Sequence, residues 1–332
     1  MPELRQNMAT KEWVIIATER AQRPEEFIQE RGLTEDHPVW DADCPFCPGN
    51  EEPPEMEVMR ISEGDAWQLR IVKNKFPALV KEGARVRTFD GVHRSLTGIG
   101  YHEIVVETPR HNACPALQTE EEITRTIQAF QMRYWEISKD LRIEQVICFK
   151  NHGRRAGTSL VHPHGQLIGL PVVPYMIRAR IEEARRYFDD TGDCVLCRMW
   201  REERAFEARL VAKNRHFVAF IPYAAFSPFH LWVVPRRHAP SFADASPNEI
   251  TALGRIVHNI LRRIYYGLRD PDYNYVIRSA PTKEGGIDYL HWYVTIIPRV
   301  TRSAGFEMGS GMYINTALPA RSAAFLRSVK LP

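Results

Sequence analysis

Two Cys-x-x-Cys pairs, Cys44/Cys47 and Cys194/Cys197, open two stretches of chain that run through the same features in the same order. That internal repeat restricts the fold more than any other property of the sequence. After the first pair an apolar run, Tyr101 to Glu107, leads to Pro109-Arg110-His111; after the second, His230 to Val234 leads to Pro235-Arg236-Arg237-His238. A helix start follows each time. Thr119 with Glu122 reads as a capping box, as does Ser246 with Pro247 and Glu249,. Apolar residues then recur at helical spacing, Ile123, Ile127 and Phe130 in one copy and Leu253, Ile256, Ile260 and Ile264 in the other,. A β-rich segment comes next, Gln145 to Phe149 or Tyr273 to Ile277, and then a histidine opens a further strand, His162 or His291. The His111–His162 separation is 51 positions and the His238–His291 separation is 53. The longer gap between Cys47 and His111 places an insertion in the first copy, near Glu51 to Glu57 or around Arg85 to Gly98.

The expected fold is α+β: two tandem half-domains, 1–175 and 176–332, mostly antiparallel sheet with helices packed on one face. A chain of 332 residues suits two such units,. The net charge of +3 gives no electrostatic case for nucleic acid as the main partner,. The polar N-terminus has no apolar signal core, and no apolar run reaches the roughly 18 residues of a membrane span, so a cytoplasmic location is expected,.

In a reducing compartment, paired cysteines are more often metal or redox sites than disulfides. A thioredoxin-type pair would start a helix, whereas Cys44-Pro45-Phe46-Cys47-Pro48-Gly49 is a loop sequence,. The repeat supplies two histidines to each pair. Cys44, Cys47, His111 and His162 make one tetrahedral donor set, and Cys194, Cys197, His238 and His291 make the other. Both suit zinc, two ions per chain, although iron in the second site stays open. His164 and Gln166 follow His162 at strand spacing, which would put all three on one face,. Upstream, Asn151, Gly157, Thr158 and Ser159 lie in a loop with two glycines and two arginines, the composition of a phosphate-wrapping turn,. A neutral His164 with Nδ1–H on a backbone carbonyl would present Nε2 as a nucleophile toward phosphorus, and Gln166 would donate its amide to a phosphoryl oxygen. The bland reading of the pair is that both histidines bind metal.

The segment from Asn151 to Gln166 closely resembles the active-site motif of galactose-1-phosphate uridylyltransferases, a branch of the histidine triad superfamily. Arg20-Ala21-Gln22-Arg23-Pro24, Cys44 to Glu51, Asn74-Lys75-Phe76-Pro77-Ala78-Leu79 and Pro109-Arg110-His111 resemble further motifs of that family. The resemblance implies ping-pong transfer of a nucleoside monophosphate through His164, between a nucleotide sugar such as UDP-glucose and a sugar 1-phosphate, as in galactose metabolism. It implies that Asn151, Gly157, Thr158, Ser159 and Gln166 contact the phosphoryl group and ribose, and that Asn74 and its neighbour Lys75 lie at the nucleoside. It also implies a homodimer in which Arg20 and Arg23 reach substrate phosphate from the partner subunit.

Three departures stand out. Lys75 occupies a place that is Asp in many uridylyltransferases. Gly305 to Asn315 has glycines where charged, sugar-contacting residues are usual, and resembles the divergent branch that includes ADP-glucose phosphorylase. Tyr293 stands where the second half would carry its own nucleophilic histidine, so that half is expected to be catalytically silent. An alternative register would pair His291 with His164 instead of His162; the near-equal spacings favour the metal role. The leading expectation is a UDP-glucose–hexose-1-phosphate uridylyltransferase. The alternatives are an ADP-sugar phosphorylase or nucleotide hydrolase using the same His164, or a nucleotide sensor that does not turn over.

Overall fold

A computed structural model describes residues 1–28 and 34–332. In chain order the strands are β1 (Glu3–Gln6), β2 (Trp13–Ile16), β3 (Glu57–Glu63), β4 (Ala66–Lys73), β5 (Arg87–Asp90), β6 (His93–Leu96), β7 (Tyr101–Val106), β8 (Gln145–His152), β9 (His164–Leu170), β10 (Leu210–Lys213), β11 (Phe217–Phe220), β12 (Leu231–Pro235), β13 (Tyr273–Arg278), β14 (Tyr293–Pro298) and β15 (Tyr313–Asn315). The helices are α1 (Glu120–Ser138), α2 (Tyr175–Thr191), α3 (Val195–Phe206), α4 (Pro247–Leu268), α5 (Gly305–Ser310) and α6 (Pro319–Ser328).

Ten strands form one sheet in the order β10-β11-β12-β14-β13-β8-β9-β7-β4-β3, and every neighbouring pair is antiparallel. The order is palindromic in the repeat: β3, β4, β7, β8 and β9 match β10, β11, β12, β13 and β14. Gln166 pairs with Phe149 and its equivalent Thr295 pairs with Val276. Phe149 and Val276 are therefore equivalent, and they pair with each other across the β8–β13 join. A pseudo-twofold axis passes between them. The two halves share one sheet because each offers β8 or β13 as an otherwise unpaired edge.

Both capping boxes close as the sequence predicts. Thr119 and Glu122 start α1, and Ser246 and Glu249 start α4. These helices lie together on one face of the sheet, where their apolar stripes and the inward residues of both halves make the main core. Gly254 of α4 lies against Thr124 of α1, with no room for a side chain between them. In the second half α2 and α3 also cover the opposite face, over Val218, Phe220, Trp232, Val234 and Tyr293. In the first half that face holds the Cys44 loop and His164. The extra length of the first half includes the exposed hairpin β5–β6, within the Arg85–Gly98 window.

Candidate active site and paired metal centres

Pro163 has no N–H to give the ladder, so β9 begins at His164, with His162 just before the strand,. The expected shared face therefore holds for His164 and Gln166 but not as a strand property of His162. His162 instead points Nδ1 at Cys44 Sγ and Cys47 Sγ, 3.6 Å from each, and its Nε2 donates to the Thr108 carbonyl at 2.8 Å. Cys47 Sγ is 3.5 Å from His111 Nδ1. The second set repeats the arrangement: Cys197 Sγ lies 3.3 Å from His291 Nδ1 and 3.5 Å from His238 Nδ1, and His291 Nε2 donates to the Pro235 carbonyl. In each set all four donor atoms lie within 4.8 Å of one another. A tetrahedral ion with bonds of ~2.3 Å to sulfur and ~2.05 Å to nitrogen has edges of roughly 3.3–3.8 Å, so both sets fit such an ion. Burial raises the Cys44 thiol to about 11, and a divalent cation is what makes a buried thiolate favourable there,.

His164 is 8 % exposed. Its Nδ1 donates to the His162 carbonyl at 2.8 Å, which fixes the tautomer and leaves Nε2 with its lone pair,. Burial lowers its pKa to about 4, so the ring is neutral at neutral pH. Phe46, carried between the two cysteines of the metal loop, packs on this ring at 5.3 Å between centroids. His164 opens onto a cavity of about 250 Å³ with Asn151, Thr158, Ser159, Gly153 and Arg154.

The loop that walls this cavity is a 3₁₀ turn, Arg154–Ala156, between Gly153 at φ 81° and Gly157 at φ 97°. At Gly153 the Asp272 carboxylate fills the place a Cβ would take. The second half holds this loop in shape. Asp272 accepts the Arg155 N–H at 2.5 Å, and Asn274 Nδ2 donates to Asn151 Oδ1 and to the Ala156 carbonyl, both at 2.8 Å.

Gln166 lines neither cavity, but its partner His102 lines a second one of about 520 Å³, together with Asn74 and Lys75. The Ala78 N–H donates to His102 Nδ1 at 3.1 Å, so the His102 proton sits on Nε2 and is donated to Gln166 Oε1 at 2.9 Å. The amide nitrogen is then the free end of Gln166. Asn74 is held by the Phe76 N–H on its Oδ1 at 2.8 Å, while Lys75 is exposed and 3.5 Å from Glu52. Arg23 is exposed and lines neither cavity; Arg20 is described for its backbone only.

Sequence reading missed His102, Lys150, Glu107 and the His152–Asp270 pair. Lys150 Nζ, fully buried, bonds Glu107 at 2.8 Å and the His164 carbonyl at 3.3 Å. His152 meets Asp270 at 2.8 Å, and Asp270 also accepts from Thr34. Alternating charge inside strands, Glu103 and Glu107 against Lys150, was the available signal.

A repeated α+β chain thus carries a Cys₂His₂ donor set beside a tautomer-fixed histidine and a glycine-bounded loop. Family models described as the N-terminal and C-terminal domains of galactose-1-phosphate uridyl transferase match residues 1–174 and 180–307. The chain belongs to the galactose-1-phosphate uridyl transferase family. It is 34% identical to an ADP-glucose phosphorylase of Arabidopsis thaliana over 99% of this chain and 93% of that protein. It is 26% identical to a galactose-1-phosphate uridylyltransferase of Thermotoga maritima over 100% and 99%. The crystal structure of an ADP-glucose phosphorylase from Arabidopsis thaliana with bound ADP-glucose superposes with a TM-score of 0.84 at 31% identity, covering 100% of both chains. Among the described residues no helix is long and apolar enough to cross a membrane.

Proposed function

We propose that this chain transfers a nucleoside monophosphate from a nucleotide sugar to an acceptor through a covalent intermediate on His164. The observation that carries this reading is the Nδ1–H bond to the His162 carbonyl, which leaves the Nε2 lone pair to react. Nε2 attacks the α-phosphorus, the bond to the leaving phosphate oxygen breaks, and sugar 1-phosphate departs. An acceptor oxygen then attacks the phosphoramidate and restores His164. The free amide end of Gln166 donates to the phosphoryl oxygen as charge develops. Asn151, Gly157, Thr158 and Ser159 wrap the phosphate, and Asn74 and Lys75 border the nucleoside. Zinc in both Cys₂His₂ sets is structural; the first positions Phe46 and His162 around the nucleophile. Residues 1–175 form the catalytic half and 176–332 the silent half, which braces the phosphate loop.

The proposed donor and acceptor are UDP-glucose and a hexose 1-phosphate, galactose 1-phosphate first, in line with the family description. Phosphorolysis of an ADP-sugar is the second reading. It is favoured by the whole-length identity to the Arabidopsis ADP-glucose phosphorylase, by Lys75 and by the glycine-rich stretch Gly305–Asn315. A homodimer fits both readings. Strand β2, which leads to Arg20 and Arg23, pairs in parallel with β15 of that stretch, in a small sheet apart from the ten-stranded one. A partner subunit would bring this unit to His164.

Intact-protein mass after brief incubation with UDP-glucose or ADP-glucose tests the proposal. The expected result is one nucleotidyl adduct on wild type and none on His164→Ala. Adding galactose 1-phosphate or inorganic phosphate should clear the adduct and identify the acceptor. Equal labelling of His164→Ala would sink the mechanism.

A further inference from the structure

We propose that the second half carries a binding site for a compact oxyanion, phosphate or carboxylate in chemistry, between the guanidinium groups of Arg180 and Arg278. The site is a cavity of about 80 Å³ that α2 closes over β13 and β14; Arg180, Arg278, Tyr293 and Gln145 are among its polar groups and Ile147, Ile177 and Ile181 among its walls. It is the pseudo-twofold counterpart of the His164 cavity. The strand registers make Tyr293 the equivalent of His164 and Arg278 the equivalent of Asn151. They also make His230 the equivalent of His102, since Ile104 pairs with Gln166 and Trp232 with Thr295. The underlying contact is preserved, as His230 Nε2 lies 2.7 Å from Thr295 Oγ1. The second half has a tyrosine in place of the proposed nucleophile and a positive charge, Arg278, in place of Asn151.

Among the cavity-lining residues the unpaired buried groups are the donors Arg180 Nε and Arg278 Nε and one acceptor, Gln145 Oε1. The Arg278 side chain makes no hydrogen bond or ion pair among the described residues, and its Nε is buried without a partner. Arg180 Nε is buried without a partner too, and among the described residues its ion pair is with Glu12 at 3.9 Å. One carboxylate thus faces two guanidiniums. Trp232 Nε1–H donates to His230 Nε2, which puts the His230 proton on Nδ1, and that atom is also buried and unpaired. Arg180 and Arg278 both lie close enough to His230 to reinforce the fall in its pKa, of which burial is the larger cause. Buried donors without acceptors are costly, and a cation taken from water is costlier. An oxyanion supplies acceptors and charge together, and planar guanidinium forks suit phosphate and carboxylate alike. The volume decides the size of the ligand. A water needs roughly 10–15 Å³ of such space, so the cavity holds a small polyatomic anion and excludes a nucleotide.

The test uses the full-length, metal-loaded protein. Crystals soaked in selenate should show anomalous density bridging Arg180 and Arg278. Arg278→Met should lose that density while still forming the nucleotidyl adduct on His164, which shows that it is folded. Displacement of selenate by phosphate at about tenfold lower concentration than by acetate assigns a phosphoryl ligand, and the reverse order a carboxylate. Melting gives an independent sign. In anion-free buffer Arg278→Met should melt at or above wild type, because an unpaired buried cation has been removed. No density at this site, density that persists in Arg278→Met, or a variant that melts below wild type without anion overturns the proposal.

Discussion

Lys150 lies beneath the strand that carries His164, with both it and Glu107 almost wholly excluded from solvent. Removing one partner strands the other charge. Lys150→Met should therefore lower stability by about 3–5 kcal/mol in urea unfolding, and Lys150→Met/Glu107→Leu should recover most of the loss. A double variant as unstable as the single one would show that the His164 carbonyl contact, and not the ion pair, is what Lys150 contributes. In the proposed mechanism His102 acts one step from the chemistry. Its Nε2–H holds Gln166 Oε1, so His102→Phe should slow nucleotidyl labelling by about tenfold or more through a misoriented amide,. His102→Gln, which keeps a donor, should restore part of the rate; no difference between the two in single-turnover labelling would remove His102 from this role. The proposed roles of His164 and Gln166, and the two clusters of four metal candidates, were legible in the sequence, because such chemistry needs fixed residue types at repeated spacings. His102 and Lys150 were not, because each acts through a partner 64 or 43 positions away, Gln166 and Glu107, that only strand register brings near.

At the level of elements, helix starts were the easiest feature to read, since a capping box is local. The α4 box carries a pH consequence. Glu249 is desolvated, which alone would raise its pKa, but its bonds to Arg237 and Ser246 prevail and lower it from 4.5 to about 2. A group whose pKa falls on folding stabilises the protein above its unfolded value and loses that contribution as pH drops through its folded value. Glu249 should thus contribute on the order of 2 kcal/mol at neutral pH, after a discount for the half-exposed Arg237, and lose it between pH 4.5 and about 2,. Glu249→Gln should flatten the acid limb of the stability curve in that window; an unchanged limb would mean that the pair is too screened to matter. Strand starts were harder to read. His162 falls outside β9 because of what Pro163 cannot donate, and that displacement lets His162 turn to the cysteines while His164 turns to the cavity.

Across the whole molecule, the two metal sets occupy equivalent places yet support different things. The first carries Phe46 against the nucleophile; the second ties the start of α3 to the approach to β14. Cys44→Ser and Cys194→Ser should each lower zinc content from about two to about one ion per chain by elemental analysis. Both should melt earlier, because metal binding adds to folding free energy. Cys44→Ser should in addition slow labelling of His164. A wild-type chain with fewer than one ion after metal-replete expression would contradict the closed-site reading.

The sequence by itself determined the repeat, the donor sets, the proposed nucleophile and the family motifs, since these reside in residue identity and spacing along one chain. Tertiary structure decided how the halves meet. The pairing of β8 with β13 sets Asp272 and Asn274 of the second half against the Gly153–Gly157 loop of the first. It also places two arginines beside Tyr293, the counterpart of His164. Neither follows from spacing, because antiparallel pairing across a pseudo-twofold axis joins positions more than 100 residues apart, and the register that joins them is fixed by which face of each strand the common core buries,.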